Sequence, residues 1–155
     1  MELRLHRDAA PRTPYMPGMT TREKQAALIA RYSIIEDSQE RLAAIVSRGR
    51  KWPAPADEEK TDAHRVPGCV SRVWLVGTVE NARCHFRMAA DSPLVQGLAA
   101  LLCELYDDGV ADEIVVVEPE LFEALGLARQ LSPTRLNGLA SLRRTIREFA
   151  AAHSA

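Results

Sequence analysis

The chain has 155 residues, with 20 lysines and arginines against 21 aspartates and glutamates and a formal net charge of −1. A chain of this size buries about two-thirds of its unfolded surface as one domain and needs no staple, and its balanced charge gives no electrostatic support to a nucleic-acid or anionic-membrane role. Three cysteines, with no C-x-x-C spacing among them, argue against a disulfide framework and for a reducing compartment.

Residues 1–18 mix Arg, His, Asp and three prolines. They lack the apolar centre of a signal peptide and read as a flexible extension, with Met16 or Met19 as alternative natural starts. No later stretch reaches membrane-spanning length, so the expected location is the cytoplasm. Residues 19–155 are expected to form a single domain.

A first helix is expected from Thr21 to Ser33, with Ala26, Ala27, Ile29, Ala30 and Ile34 on its apolar side. Asp37-Ser38-Gln39-Glu40 has the pattern of a capping box, with an acceptor at the cap and Glu three residues on. Leu42, Ile45 and Val46 stripe the helix that follows, and Gly49 lies near its end. So short a link between two helices predicts an antiparallel pair. Lys51 to Asp62, with two prolines and six charges, reads as a surface loop.

Pro67-Gly68 then predicts a sharp turn, because proline fixes φ and glycine opens backbone angles closed to other residues. Cys69 follows at the mouth of a strand in which Val73, Leu75 and Gly77 alternate with Trp74, Val76 and Thr78. Both sets are largely apolar, so both faces of this strand are expected to be covered by the fold or by another chain. Glu80-Asn81 marks a reversal, and Ala82 to Met88 returns as the second arm of a hairpin. Two readings of Cys69 stand side by side: a loop thiol within reach of a partner's reactive atom, and a small core hydrophobe.

Asp91 or Ser92 can cap the next helix, with Pro93 in its first turn. Leu94, Leu98, Leu101 and Leu105 form its stripe, and Gly97 leaves room for a close neighbour. Ala111 to Val117 is ambiguous, since Val115-Val116-Val117 favours a strand in otherwise helical surroundings. Pro119 opens a short helix that Gly126 can stop. Ser132-Pro133 repeats the cap-and-proline signature before a long helix striped by Leu136, Leu139, Leu142, Ile146 and Phe149. The sum is an α+β domain, with a small antiparallel sheet packed against several helices.

Two segments carry a resemblance. Val66-Pro67-Gly68-Cys69-Val70-Ser71-Arg72-Val73-Trp74 resembles the SufE family's V-x-G-C-x-S-x-V-W. Ser132-Pro133-Thr134-Arg135-Leu136-Asn137-Gly138-Leu139 resembles that family's S-P-x-R-x-x-G-L. Val95-Gln96-Gly97-Leu98 and Leu125-Gly126-Leu127 fall between them in the family's order, so the likeness runs from about Thr21 to Ala152. One position departs: the family often carries D-S-D where this chain has Ala89-Ala90-Asp91, which removes the first carboxylate and keeps the second.

The resemblance implies the SufE/IscU-like fold and a place in iron–sulfur cluster assembly. By it, Cys69 accepts sulfur from the persulfide of a pyridoxal-phosphate cysteine desulfurase of the SufS kind. The chain stimulates that enzyme and hands the sulfur to a cluster scaffold of the SufBCD kind. It binds no cofactor itself, the pyridoxal phosphate belonging to the partner, and a homodimer stays open. Arg135 is expected near Cys69, orienting sulfur or anchoring the partner, with the alternative that its stem packs and its head caps loop carbonyls. Gly68, Ser71 and Trp74 are expected to support the loop, and Val66, Val70, Val73 and Trp74 to shelter the thiol.

Arg65 and Arg72 flank the turn and read as ordinary solvated charges. His64, five residues before Cys69, would allow a Cys–His pair. His85 is expected on the face of the hairpin opposite Cys84. Cys103 falls about 140–180° around its helix from Leu94 and Leu98, away from Cys69. The competing reading is a zinc or iron–sulfur scaffold using Cys69, Cys84 and Cys103, with His85 as a further ligand. A free-standing cysteine hydrolase ranks last, for want of an oxyanion turn.

Overall fold

The computed structural model describes residues 18–154. The extension expected for residues 1–18 therefore lies, apart from Gly18, outside the described residues. Six α-helices, three 3₁₀ turns and one two-stranded sheet make up the described chain. In order they are α1 (Thr21–Ser33), α2 (Ser38–Gly49), β1 (Val73–Glu80), β2 (Arg83–Ala90), α3 (Pro93–Tyr106), α4 (Ala111–Val116), α5 (Leu121–Ala124) and α6 (Pro133–Ala152). This is the α+β arrangement the sequence implies.

Helix α3 is the axis of the molecule. Every residue from Gly97 to Tyr106 is buried, because α2, β2, α6 and α1 all pack around it. Cys103 indeed lies off the leucine stripe, but that side is as dry as the other. Helices α2 and α3 approach closely where two glycines meet. A Cβ on Gly97 would stand 2.6 Å from Val46 Cα, and one on Gly49 would stand 2.5 Å from Gly97 Cα. The first two helices thus pack mainly on α3 rather than as a pair with each other, which corrects the expected two-helix hairpin. Leu42, Ile45 and Val46 find a better apolar partner in α3 than α1 offers.

Helix α1 has the expected bounds but a different inward face. Ala26, Ala27 and Ala30 are exposed, Ile29 is half-buried and Ile34 is 80% exposed. The buried row is Thr21, Gln25, Leu28 and Tyr32. Gln25 sits inside because its amide nitrogen donates to the Glu118 carbonyl at 3.1 Å, and its Oε1 accepts from Glu120 N at 2.6 Å. Hydrogen-bonding reach, which a hydropathy stripe does not register, chose the face. The helix opens with a full capping box from Thr20 and Glu23. At α2, Asp37 caps Glu40 N.

The hairpin pairs Val73 with Ala90 through to Glu80 with Arg83. Asn81 (φ 53°) and Ala82 (φ 64°) form its two-residue turn with both residues in the left-handed region, the turn type whose twist matches paired strands. One sheet face, with Val73, Leu75, Cys84, Phe86 and Met88, enters the core. Phe149 of α6 leans against Gly77, where a Cβ would come within 2.8 Å of its ring, and meets Phe86 edge-on at 5.6 Å. The other face is partly roofed by residues 51–66, as Arg87, opposite Val76, makes a two-pronged ion pair with Glu59 at 2.6 and 2.9 Å. Further along, Thr78 on this face is exposed, and so is Val79 at the end of the core-facing row. The segment read as a surface loop is anchored at its start: Trp52 is buried and donates to the Phe86 carbonyl at 3.1 Å.

The ambiguous segment is a helix. Its last carbonyls accept from side chains of α3 and α6: Tyr106 Oη and Arg143 Nη2 donate to Val117 O at 2.7 and 3.0 Å, and Arg147 Nε donates to Val115 O at 3.0 Å. Three consecutive valines prefer a strand, yet these donors finish a helix instead.

Replacing Gly97 with Ala forces its methyl into the α2 backbone, and overpacking of this kind costs about 1–3 kcal/mol. Chemical denaturation of Gly97→Ala is expected to show a midpoint lowered accordingly; an unchanged midpoint would refute the tight crossing. Ala82→Gly is expected to act oppositely. It relieves a left-handed alanine and raises stability by about 0.5–1 kcal/mol, read as a higher thermal midpoint.

Candidate functional site

The loop that carries Cys69 is tied at both ends. Val66 N donates to Val73 O at 2.8 Å, and Arg65 bridges to Trp74, so the chain returns alongside the start of β1. At the far end Arg72 N donates to Asp91 Oδ1 at 3.1 Å, Arg72 Nε to Asp91 Oδ2 at 3.2 Å, and Asp91 N to Arg72 O at 3.1 Å. The carboxylate kept from the acidic pair therefore clamps the loop, while Ser92 caps α3. Ala89, where the first carboxylate is missing, sits in β2 opposite Trp74.

Between these ties the chain turns at Gly68, whose φ of +82° only glycine adopts without strain. The turn also needs a bare Cα for another reason: a Cβ there would stand 2.8 Å from Ser141 Oγ of α6. Cys69 then points inward, half-buried, with Sγ 3.5 Å from the Gly138 carbonyl. Val70 beside it is 80% exposed. The loop tip thus borders the same space with one half-buried thiol and one largely exposed valine.

The thiol opens into a small apolar chamber of about 40 Å³ between the loop, α3 and α6. Val73, Val95, Leu98, Leu139 and Leu142 make much of its wall, and Ser71, Thr134 and Arg135 are its polar margin. Gly138 forms the wall next to sulfur, since a Cβ there would lie 3.5 Å from Cys69 Sγ. Arg135 is exposed on the first turn of α6, and among the described residues its guanidinium has no hydrogen-bond or ion-pair partner. It caps no loop carbonyl.

Burial raises the Cys69 thiol above its ordinary pKa, and the Arg65 charge opposes this. The reason is that a thiolate loses water on entering an apolar wall. The resting thiol is thus harder to ionise than a free cysteine, and Arg65, although solvated, acts on it through space.

The structure brings Cys69, Ser71 and Arg135 to one chamber, with Gly68 setting the turn. Trp74 is not part of it. It belongs to the opposite sheet face, where Arg72 lies 5.8 Å from its ring centre. The expected shelter of Val66, Val70, Val73 and Trp74 is likewise corrected: of these, Val70 and Val73 line the chamber, and helices supply most of the wall. Gly138 and Leu142 were missed as site residues. A lone glycine inside a long amphipathic helix was the available signal, since such a residue costs helix stability unless packing requires it.

His64 is occupied elsewhere: its Nδ1 lies 2.8 Å from the Glu59 carbonyl, and it does not line the chamber. Cys84 and Cys103 are buried in the core, and burial raises both thiols, Cys103 strongly. His85 lies on the other face of β2, 3.8 Å from carboxylates of both Asp107 and Asp108. No group of three His, Cys, Asp or Glu able to hold a metal occurs among the described residues. The scaffold reading thus lacks a ligand set there. No helix among the described residues is long and apolar enough to cross a membrane.

The SufE family model, described as an Fe–S metabolism associated domain, matches residues 26–150. The chain belongs to the SufE family. It is 34% identical over 133 residues to an uncharacterised SufE-like protein of Rhizobium etli, covering 83% of this chain and 90% of that one. It is 36% identical over 110 residues to the sulfur acceptor protein CsdE of Escherichia coli, covering 70% and 75%. The fold matches the solution structure of a hypothetical protein from Thermus thermophilus with a TM-score of 0.71, covering 84% and 95% of the two chains at 19% identity.

Alkylation of Cys69 by a neutral thiol reagent is expected to rise with pH and to reach its midpoint above that of a free cysteine, about 8.5. Arg65→Gln removes the opposing charge and moves the midpoint higher still. A midpoint at or below the free-cysteine value would contradict the desolvated site.

Proposed function

We propose that this SufE-family chain is a sulfur acceptor that works with a pyridoxal-phosphate cysteine desulfurase of the SufS kind, Cys69 being the accepting residue. The observation that carries the reading is the chamber itself: a half-buried thiol faces about 40 Å³ of apolar space with a single arginine at its margin. The likeness to a sulfur acceptor protein supports it.

The chemistry follows thiol–disulfide exchange. The Cys69 thiol gives up its proton to solvent, and its thiolate attacks the outer sulfur of the donor's Cys–S–SH. A new S–S bond forms on Cys69 as the donor's S–S bond breaks, and the donor cysteine leaves as thiolate. Cys69 then carries the persulfide. One added sulfur fits the chamber, since a site needs only roughly 10–15 Å³ to hold a water-sized group. Apolar walls keep competing thiols and oxidants away from it.

The resting geometry is wrong for attack, because Sγ faces the Gly138 carbonyl from inside the fold. Docking therefore turns the loop tip outward about Gly68, while the Asp91 clamp and the Val66–Val73 bond hold its ends. Outside, the thiolate loses the desolvation that suppressed it. Arg135 stands at the chamber's margin, where its unpaired guanidinium can stabilise the developing sulfur charge. Delivery to an Fe–S scaffold of the SufBCD kind and stimulation of the desulfurase complete the role, with the cofactor on the partner.

Incubation with a cysteine desulfurase and cysteine, followed by alkylation and intact-mass measurement, is expected to show a gain of one sulfur atom on Cys69. Cys69→Ser abolishes the gain. Arg135→Ala slows it about tenfold or more, the scale of losing a hydrogen bond to a charged group, without shifting thermal stability. Sulfur retained by Cys69→Ser would sink the assignment, and a wild-type rate in Arg135→Ala would remove Arg135 from it.

A further inference from the structure

Inside a helix, glycine is the poorest residue after proline, so each one there asks for a reason. Gly97 of α3 has one, because a Cβ would stand 2.6 Å from Val46 Cα. In the loop, Gly68 has two, a φ of +82° and a Cβ position 2.8 Å from Ser141 Oγ. Gly138, in the second turn of α6, has neither. Its backbone is ordinary right-handed helix. Outside its own helix backbone and its two chain neighbours, a Cβ there would meet only Cys69 within 4 Å, with Sγ at 3.5 Å and Cβ at 4.0 Å. Both are ordinary van der Waals contacts. The free protein therefore accepts alanine at this position, and α6 would be the firmer for it.

An alanine methyl would take up space beside the thiol, at the wall of the chamber of about 40 Å³. The state that needs this space is the one with an extra atom. A persulfide carries its outer sulfur about 2.05 Å beyond Sγ. On the 3.5 Å line from Sγ to a Cβ at position 138, that sulfur would come within about 1.5 Å of the methyl carbon. Turning off the line gives little relief, because Val73, Val95, Leu98, Leu139 and Leu142 wall much of the rest.

We propose that Gly138 seats the outer sulfur of the Cys69 persulfide, its absent side chain being the room kept for the atom that Cys69 acquires. This seat rests on Cys69 carrying sulfur, as proposed above. Gly138 is then a specificity-determining residue. The resting thiol fits with or without a methyl at 138, and the loaded one fits only without. An alanine there pushes the outer sulfur off the apolar wall toward the open side of the loop, where small nucleophiles reach it.

Cyanolysis of the full chain tests this. Cyanide attacks the outer sulfur, a C–S bond forms as the S–S bond breaks, thiocyanate departs and Cys69 is left as thiolate. Parent and Gly138→Ala are loaded with a cysteine desulfurase and cysteine. In parallel both are loaded with inorganic tetrasulfide, which gives one sulfur to the Cys69 thiolate and departs as trisulfide. Intact mass before and after cyanide follows the sulfur, with Cys69→Ser as the blank. Gly138→Ala is expected to lose its sulfur about tenfold faster than the parent or more, the scale of an overpacked seat. Its free form is expected to unfold at the parent's denaturant midpoint or above. Equal rates of loss would overturn the proposal. A lowered midpoint of free Gly138→Ala would overturn it too, since the glycine would then serve the resting fold. Loading from tetrasulfide but not from the desulfurase would sink the acceptor reading, while the tenfold contrast in cyanolysis would still uphold the seat.

Discussion

A two-stranded sheet is marginal unless its open edges are satisfied, and this protein closes the β2 edge without a third strand. The outward N–H groups of Cys84, Phe86, Met88 and Ala90 donate to Gly109 O, Asp107 Oδ1, Pro53 O and Gln96 Oε1, at 2.8, 2.8, 2.9 and 2.8 Å. Those acceptors come from the residues before and after the sheet and from α3. The edge therefore binds the residue 51–66 segment, the sheet and the central helix into one unit. Gln96 joins them further, donating to the Gly49 carbonyl at 3.0 Å beside the glycine crossing of α2 and α3.

The Cys69 loop depends on that rigidity. It departs from and returns to the other strand, β1, so its ends move only if the sheet moves. Its tip rests on α6 through Gly68 over Ser141 and Cys69 over Gly138. The clamp at Asp91 is an exposed ion pair between side chains 59% and 36% exposed. Pairs of that kind contribute about 0–1 kcal/mol. The backbone bonds made by Asp91 and Arg72 are the firmer tie. A loop with fixed ends and a weakly held tip is suited to turning a thiol from shelter to a partner and back.

Polar groups are used sparingly inside this fold, and the buried ones that bridge elements have structural tasks. Glu104, 3% exposed, is held by Arg31 at 3.3 Å and Arg48 at 3.0 Å, which fastens α1 and α2 to α3. Gln25 ties α1 to the approach to α5. Arg143 finishes α4. Of these three, Arg143 alone keeps buried side-chain donors, Nε and Nη1, without a partner among the described residues.

The sequence by itself determined the elements other than residues 111–117, the caps at Asp37 and Ser132, the hairpin and the fold class, and it narrowed the α3 cap to Asp91 or Ser92, because these rest on local spacing and on residues with fixed backbone preferences. It also marked Cys69, Gly68, Ser71 and Arg135 as neighbours through two motifs far apart in the chain, which a family resemblance can connect and periodicity cannot. Only the tertiary structure decided which face of α1 is buried, that Val115 to Val117 end a helix, and that Trp74 turns away from the thiol. Those outcomes depend on partners distant in sequence: Glu118 and Glu120 for Gln25, Tyr106 and Arg143 for α4, and the sheet's own pleat for Trp74. The same holds for the thiol. Its neighbours in the chain suggested an apolar setting, but α3 and α6 built the chamber, and burial between them is what raises the Cys69 thiol above its ordinary pKa.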